Sequence, residues 1–181
     1  MAAVPMERLT SPAGLRPAYF YGIVLMVFAA DQISKALVLR TMAFGEYRSV
    51  IGNSFLLSLT QNTGGAWGLG PSKNWMFAAF AAVAIVALII AYHRVARGEL
   101  LVATAFALAL GGATGNLLDR LRYGYVVDFF YAKIIHWPIF NIADSAISVG
   151  IGLLIVHYLL SMRAEARQRR AAALHAFEQE R

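Results

Sequence analysis

Four apolar stretches, each long enough to cross a bilayer as a helix, dominate this chain: residues 18–39, 75–92, 100–118 and 139–162. A helix rises about 1.5 Å per residue, so roughly 20 apolar residues cover the ~30 Å of hydrocarbon. The second and third stretches hold no Asp, Glu, Lys or Arg. With 59% of residues hydrophobic and 14% charged, the chain lacks the polar surface needed to coat a water-soluble globule. The expected fold class is therefore an all-α membrane protein. Four transmembrane helices would form a single integral membrane domain over residues 1–181, with outer loops at 40–74 and 119–138 and a basic tail at 163–181. The first stretch is longer than a signal-peptide core of roughly 7 to 15 residues and carries Asp31 and Lys35, so it reads as a retained span.

Several chemistries drop out early. The chain has no cysteine, which removes thiol nucleophiles, disulfides and thiolate metal sites. His93, His136, His157 and His175 show no metal-ligand spacing, and no His-Glu-x-x-His run supports zinc proteolysis, so no metal or cofactor is expected. A net charge of +6 invites nucleic acid as a partner, yet five of the sixteen basic residues follow residue 162. A basic tail just beyond a span meets anionic lipid headgroups, so membrane lipid and not nucleic acid is the expected partner, with the protein a monomer. Four spans put both termini on one side. Placing them inside gives nine basic residues in about 43 inner positions against six in about 55 outer ones, which the positive-inside rule favours.

The first outer loop is long enough to need structure of its own. Residues 47–51 and 54–60 flank Gly52-Asn53, a pair suited to a hairpin turn that requires positive φ. The second of these strands alternates imperfectly, so apolar residues are expected on both its faces. The Gly-rich run at 64–71 resists any regular element. Trp67, Trp75, Trp137, Tyr123 and Tyr131 fall near span ends or in the outer loops, where amphipathic rings favour the headgroup zone.

Threading the chain through a bilayer assigns a depth to each polar residue. Asp31 and Lys35 lie in the outward half of the first span, Asn62 in the first outer loop, and Asn116, Asp119 and Arg120 at the end of the third span. Asp128 follows in the second outer loop, and Asn141 and Asp144 open the fourth span. All fall on one side of the membrane, whichever side that is. Asn141 with Asp144, Asn116 with Asp119 or Arg120, and Asp31 with Lys35 each share a helix face. Gly111, Gly112 and Gly115 lie about one turn away, where small residues admit a neighbouring helix or an extended substrate backbone.

Plain structural roles compete at several of these positions. Asp31 and Lys35 fit an i,i+4 ion pair, Asp119 and Arg120 sit near an interface where charge is cheap, and Asn62 fits a turn. Asp144 is harder to dismiss, because it enters a span with no cation on its own helix within a turn, and intramembrane acids persist mainly where they face a bundle interior or a water-filled cavity. Two carboxyl groups brought together share one proton, which makes one a base and the other an acid. Such a pair hydrolyses an amide directly, the base taking a proton from water while the acid polarises the carbonyl. Arg120, Lys35 and the amides of Asn62, Asn116 and Asn141 are candidates to orient the substrate or the pair. A proton-coupled carrier and a non-enzymatic assembly subunit also use buried acids; the gathering of the polar residues at one end of the bundle argues against the carrier, whose acids belong near the midplane.

Five stretches in order, namely Asp31-Gln32-Ile33-Ser34-Lys35, Asn62-Thr63-Gly64-Gly65-Ala66-Trp67-Gly68, Gly111-Gly112-Ala113-Thr114-Gly115-Asn116-Leu117-Leu118-Asp119-Arg120, Val126-Val127-Asp128-Phe129 and Phe140-Asn141-Ile142-Ala143-Asp144-Ser145, resemble the motifs of the lipoprotein signal peptidases, also called signal peptidase II. The resemblance covers residues 31 to about 148. It implies a bacterial inner-membrane aspartyl endopeptidase that cuts prolipoproteins before a diacylglyceryl-modified cysteine, with termini cytoplasmic and the site facing the periplasm. Matched motif to motif, Asp128 and Asp144 would be the catalytic pair, Asn62, Asn116, Arg120 and Asn141 would line the substrate site, and Asp31, Lys35 and Asp119 would support it. The resemblance also implies a small extracytoplasmic β-sheet and a short extracytoplasmic helix. One departure is visible: the family loop reads Asn-x-Gly-Ala-Ala-Phe, and here Gly65 and Trp67 replace its first Ala and its Phe.

Overall fold

A computed structural model describes residues 17–64, 74–96 and 99–179. Gly65 and Trp67, and the rest of the Gly-rich run beyond Gly64, lie outside the described residues. Among those described, the chain forms helices α1 (Pro17–Thr41), α2 (Asn74–Ala91), α3 (Leu100–Tyr123) and α4 (Ile142–Gln179), with strands β1 (Tyr47–Ile51), β2 (Phe55–Asn62) and β3 (Val126–Ala132) between them. All four helices are long and apolar enough to span a membrane.

α3 is the central post, in contact with α1, α2 and α4. Its buried face is built from Ala103, Ala107, Gly111, Gly112 and Gly115 among other small residues. In lipid, two apolar helices gain nothing by excluding water from each other, so close backbone approach through small residues supplies the packing. A side chain at Gly112 would strike the Ala143 carbonyl of α4, and one at Gly115 would strike the Asp31 carboxylate of α1. The glycines thus admit two neighbouring helices. α2 packs against α3 with no side chain of its own fully buried, then ends in a single π turn, Tyr92–Ala96. Tyr92 stacks on Phe20 of α1 with ring centroids 3.6 Å apart.

The strands form an antiparallel sheet in the order β1-β2-β3. The hairpin turns where its sequence says it should: the Ser54 amide donates to the Ile51 carbonyl at 3.1 Å, and Gly52 takes a left-handed φ of +51°. The broken alternation of β2 has a local cause. Between Leu57 and Thr60 its register against β3 slips, and both Ser58 and Leu59 become buried. The bulge turns Leu59 towards Val38, Met42, Val127 and Phe129, a cluster that seats the sheet on the C-terminal end of α1. At about 1.5–3 kcal/mol per buried large apolar side chain, this seat helps attach the sheet to the helices.

Several boundaries differ from those read from sequence, most by one to three residues, and three matter for the site or the tail. α3 continues past residue 118, so Asp119 and Arg120 are helical, and it closes at Gly124 with the Gly124 amide on the Arg120 carbonyl. The second outer loop contains β3, which the sequence reading did not separate from the loop, and its short helix is a single 3-10 turn at Lys133–Ile135. α4 does not stop at residue 162, because the tail has no Gly or Pro and is rich in Ala, Arg, Glu and Gln, all good helix formers.

Candidate active site

The first turn of α4 is where the site begins. A helix opens with four backbone N–H groups that have no intrahelical partner. Asn141, the residue before α4, accepts the Asp144 amide on its side-chain oxygen at 2.8 Å, while Asp144 accepts the Asn141 amide at 3.2 Å. This is a reciprocal capping box, with Asn and Asp in place of the commoner Ser and Glu. The Ala143 amide is satisfied from another helix, by Asp31 Oδ1 at 3.0 Å. The cap fixes Asp144 at a helix N-terminus, where negative charge is favoured.

Asp128 reaches the same place from the sheet. It pairs with Thr60 across β2 and β3, which puts Asn62 on the diagonal of the same face. Asn62 Nδ2 donates to Asp128 Oδ2 at 2.9 Å, and Asn141 Nδ2 donates to Asp128 Oδ1 at 2.7 Å. A single residue, Asn141, therefore holds both acids. Burial away from water pushes the Asp128 carboxyl up to about 7, and the charge of Asp144 pushes the same way, outweighing the opposing pull of Asn62, Lys35 and Asn141.

Behind the acids lies a second tier. Lys35 is 2% exposed and its ammonium has three partners, Asp31 Oδ2 and Asp119 Oδ2 at 2.8 Å each and Asn116 Oδ1 at 3.0 Å. An ammonium has three protons, so all are used. Asn116 passes its own N–H to Asp144 Oδ1 at 2.8 Å. Asp119 also accepts the Val127 amide at 3.1 Å, tying α3 to β3 beside Asp128. Gln32 joins the tier through Asp31 at 3.1 Å and Asp119 at 3.0 Å.

In front of the acids is a cleft of about 530 Å³, walled by Asn62, Asn116, Arg120, Asp128 and Asp144 on one side and by apolar residues that include Trp137 and Ile147. Arg120 bonds the Gly64 carbonyl at 3.0 Å and lies over the Phe77 ring at 5.7 Å, and its buried Nε has no hydrogen-bond partner among the described residues. All nine residues singled out from sequence meet here. Asn141 is fully buried behind the acids instead of lining the cleft. Two contributors were missed. Gln32 lies within the Asp31 to Lys35 stretch, and the capping box was legible as Asn followed three residues later by an acid at the start of an apolar run.

A carboxylate pair with one member near neutrality, a cation beside it, a closed floor and an open cleft can activate water against a polarised carbonyl. Comparison with known proteins points the same way. A family model described as Signal peptidase (SPase) II matches residues 23–160. A lipoprotein signal peptidase of Syntrophomonas wolfei is 43% identical over 148 residues, covering 82% of this chain and 97% of that protein. One from Brevibacillus brevis is 37% identical over 142 residues, covering 78% and 95%. A solved structure, described as a bacterial membrane enzyme determined by the in meso method at 2.3 Å resolution, superposes with a TM-score of 0.79 at 31% identity, over 83% of this chain and 93% of that one.

Proposed function

The chain belongs to the signal peptidase II family and is an aspartic peptidase that removes signal peptides from prolipoproteins, and from that premise we infer that Asp128 and Asp144 are its catalytic pair. The observation that carries this reading is the grip of Asn141 on both carboxyl groups, 2.7 Å to Asp128 and 3.2 Å to Asp144, at the floor of one cleft.

The pair holds one proton between them. The ionised acid takes a proton from a water in the cleft, and the resulting nucleophile attacks the scissile carbonyl. The protonated acid gives its proton to the carbonyl oxygen, so charge on the tetrahedral intermediate is neutralised as it forms. Collapse of the intermediate breaks the C–N bond: the acid that took the water's proton delivers it to the leaving amine, while the other acid takes a proton back from a hydroxyl of the intermediate as the new carboxyl group forms. The pair ends with one proton, as it began. Arg120 holds the substrate backbone beside the pair, and Asn62, Asn116 and Asn141 orient the two carboxyl groups. Asp31, Lys35 and Asp119 keep the floor rigid.

The protein is a multi-pass membrane protein. We propose that it is a single-domain monomer of the bacterial inner membrane; the excess of basic residues at the ends and in the short inner loop supports cytoplasmic termini, with the cleft and sheet on the periplasmic side. Its substrates there are prolipoproteins carrying a diacylglyceryl group on the cysteine after the cut. The test is to incubate purified protein with a synthetic diacylglyceryl-cysteine precursor and identify the products by mass. Cleavage immediately before the modified cysteine is expected, with a loss of at least about 1,000-fold in kcat for Asp128→Asn and for Asp144→Asn. Full turnover in either variant would remove the assignment.

A further inference from the structure

The three asparagines around the acids are each held in one orientation by a partner that can only donate. Asn116 turns its oxygen to the Lys35 ammonium at 3.0 Å, Asn141 turns its oxygen to the Asp144 amide at 2.8 Å, and Asn62 turns its oxygen to the Gly64 amide at 3.1 Å. Flipping any of them would set N–H against N–H. In consequence each presents its NH2 group to a carboxylate: Asn116 to Asp144 Oδ1, Asn141 to Asp128 Oδ1 and Asn62 to Asp128 Oδ2, while the Asn141 backbone N–H takes Asp144 Oδ2. All four carboxylate oxygens of the pair receive a proton donor from the scaffold.

Resting on the assignment of Asp128 and Asp144 as the catalytic pair, we propose that Lys35 is a positioning residue that acts through Asn116 to deny the shared proton any resting place on the scaffold. With only donors on their inner sides, the two acids have nowhere to send that proton except to each other, to water or to substrate. Asn116 is the weak point of this arrangement. The other two asparagines are set by backbone amides, which no substitution of a side chain removes. Asn116 is set by a side chain on another helix, and its remaining donor, Asn141 Nδ2, is at 3.1 Å and shared with Asp128. Once the ammonium is gone, Asn116 is free to rotate its oxygen towards Asp144 and accept a hydrogen bond from its protonated form, holding the proton on that acid and stalling the pair in a state that cannot deliver it. The charged groups around Asp144 are Asp128 from β3, Arg120 and Asp119 from α3, and Lys35 and Asp31 from α1; α2 brings none.

Two variants test this independently. Lys35→Gln combined with Asp119→Asn removes one positive and one negative charge, so the floor is not left with an extra stranded acid. It is expected to keep KM within about threefold while kcat falls by about 30-fold or more. Asn116→Asp keeps an acceptor for Lys35 and Asn141 but sets an oxygen against Asp144. Its kcat is expected to fall about 100-fold at neutral pH and to recover at least about tenfold towards pH 5, where the introduced carboxyl is protonated and donates as the amide did. A purely structural Asn116 would instead give a pH–rate profile parallel to that of the unsubstituted protein, and that result, or retained kcat in the double variant, overturns the proposal. If the unsubstituted protein fails to cut the diacylglyceryl-cysteine peptide, it is the underlying function that has failed.

Discussion

The backbone of Gly115 on α3 lies directly against the carboxylate of Asp31 on α1, with no room for a methyl group between them. That contact sets the spacing of the two helices at the level where Asp31 holds Lys35 at 2.8 Å and the Ala143 amide at 3.0 Å.

Gly115→Ala must push α1 and α3 apart or displace Asp31. Overpacking of this kind typically costs about 1–3 kcal/mol. Melting in detergent should drop accordingly, and turnover with it. Gly22→Ala, on the same pair of helices but with nothing within 4 Å, serves as the comparison and should melt within about 0.5 kcal/mol of the unsubstituted protein. Equal melting of the two variants would contradict the packing described.

Lys35→Met leaves Asp31 and Asp119 buried without their shared cation. Breaking a buried pair by removing one partner costs about 3–5 kcal/mol, a large share of a typical folding free energy. The single variant should therefore accumulate poorly in membranes, whereas the surface pair of His157 and Glu99, 3.1 Å apart but 35% and 56% exposed, should cost less than about 1 kcal/mol when His157 becomes Ala. Yield and thermal melting would rank the two.

The native Asp128 carboxyl titrates near 7 against 3.8 for its ordinary value, so the folded protein keeps this proton after the unfolded chain has lost it. Its contribution to stability is full below about 3.8 and is lost as pH rises towards 7, since stability falls with pH wherever the folded state binds more protons. Catalysis has a matching limit, because a pair that needs one proton loses it above about 7. The kcat/KM profile in lipid should carry a descending alkaline limb near pH 7. Activity that stays level to pH 9 would rule out this ionisation as the limiting one.

Arg120 contacts Gly64 and Asn116 through different nitrogens, while its buried Nε has no hydrogen-bond partner among the described residues. A lysine cannot span these points, so Arg120→Lys should lose most of what Arg120→Ala loses, about 10- to 100-fold in kcat/KM. A Lys variant with the parent's kcat/KM would mean that charge alone is needed.

Much of this was written in the chain. Four apolar stretches gave four helices because bilayer thickness leaves few other solutions, and the alternation of span direction gathered the polar residues before any coordinates did. β3 was harder. Val126, Val127, Phe129 and Phe130 are strand formers, but they follow a helix that ends only at Gly124 and enclose an aspartate, and what makes them a strand is pairing with β2, far away in sequence. The lock on Asn116 depends on side-chain contacts between helices, so spacing identified the residues without revealing which atom of each faces which.

α2 has no fully buried residue, and among the described residues it leans chiefly on α3. The consequence is evolutionary as much as structural: the middle of this helix is answerable chiefly to the hydrocarbon around it, and almost any greasy sequence of similar length satisfies that solvent. Substitutions should accumulate there freely while α3 stays nearly fixed. A designer wishing to install a photocrosslinker or a fluorescent probe within the bilayer should begin with Val83 or Val86, which are 68% and 57% exposed.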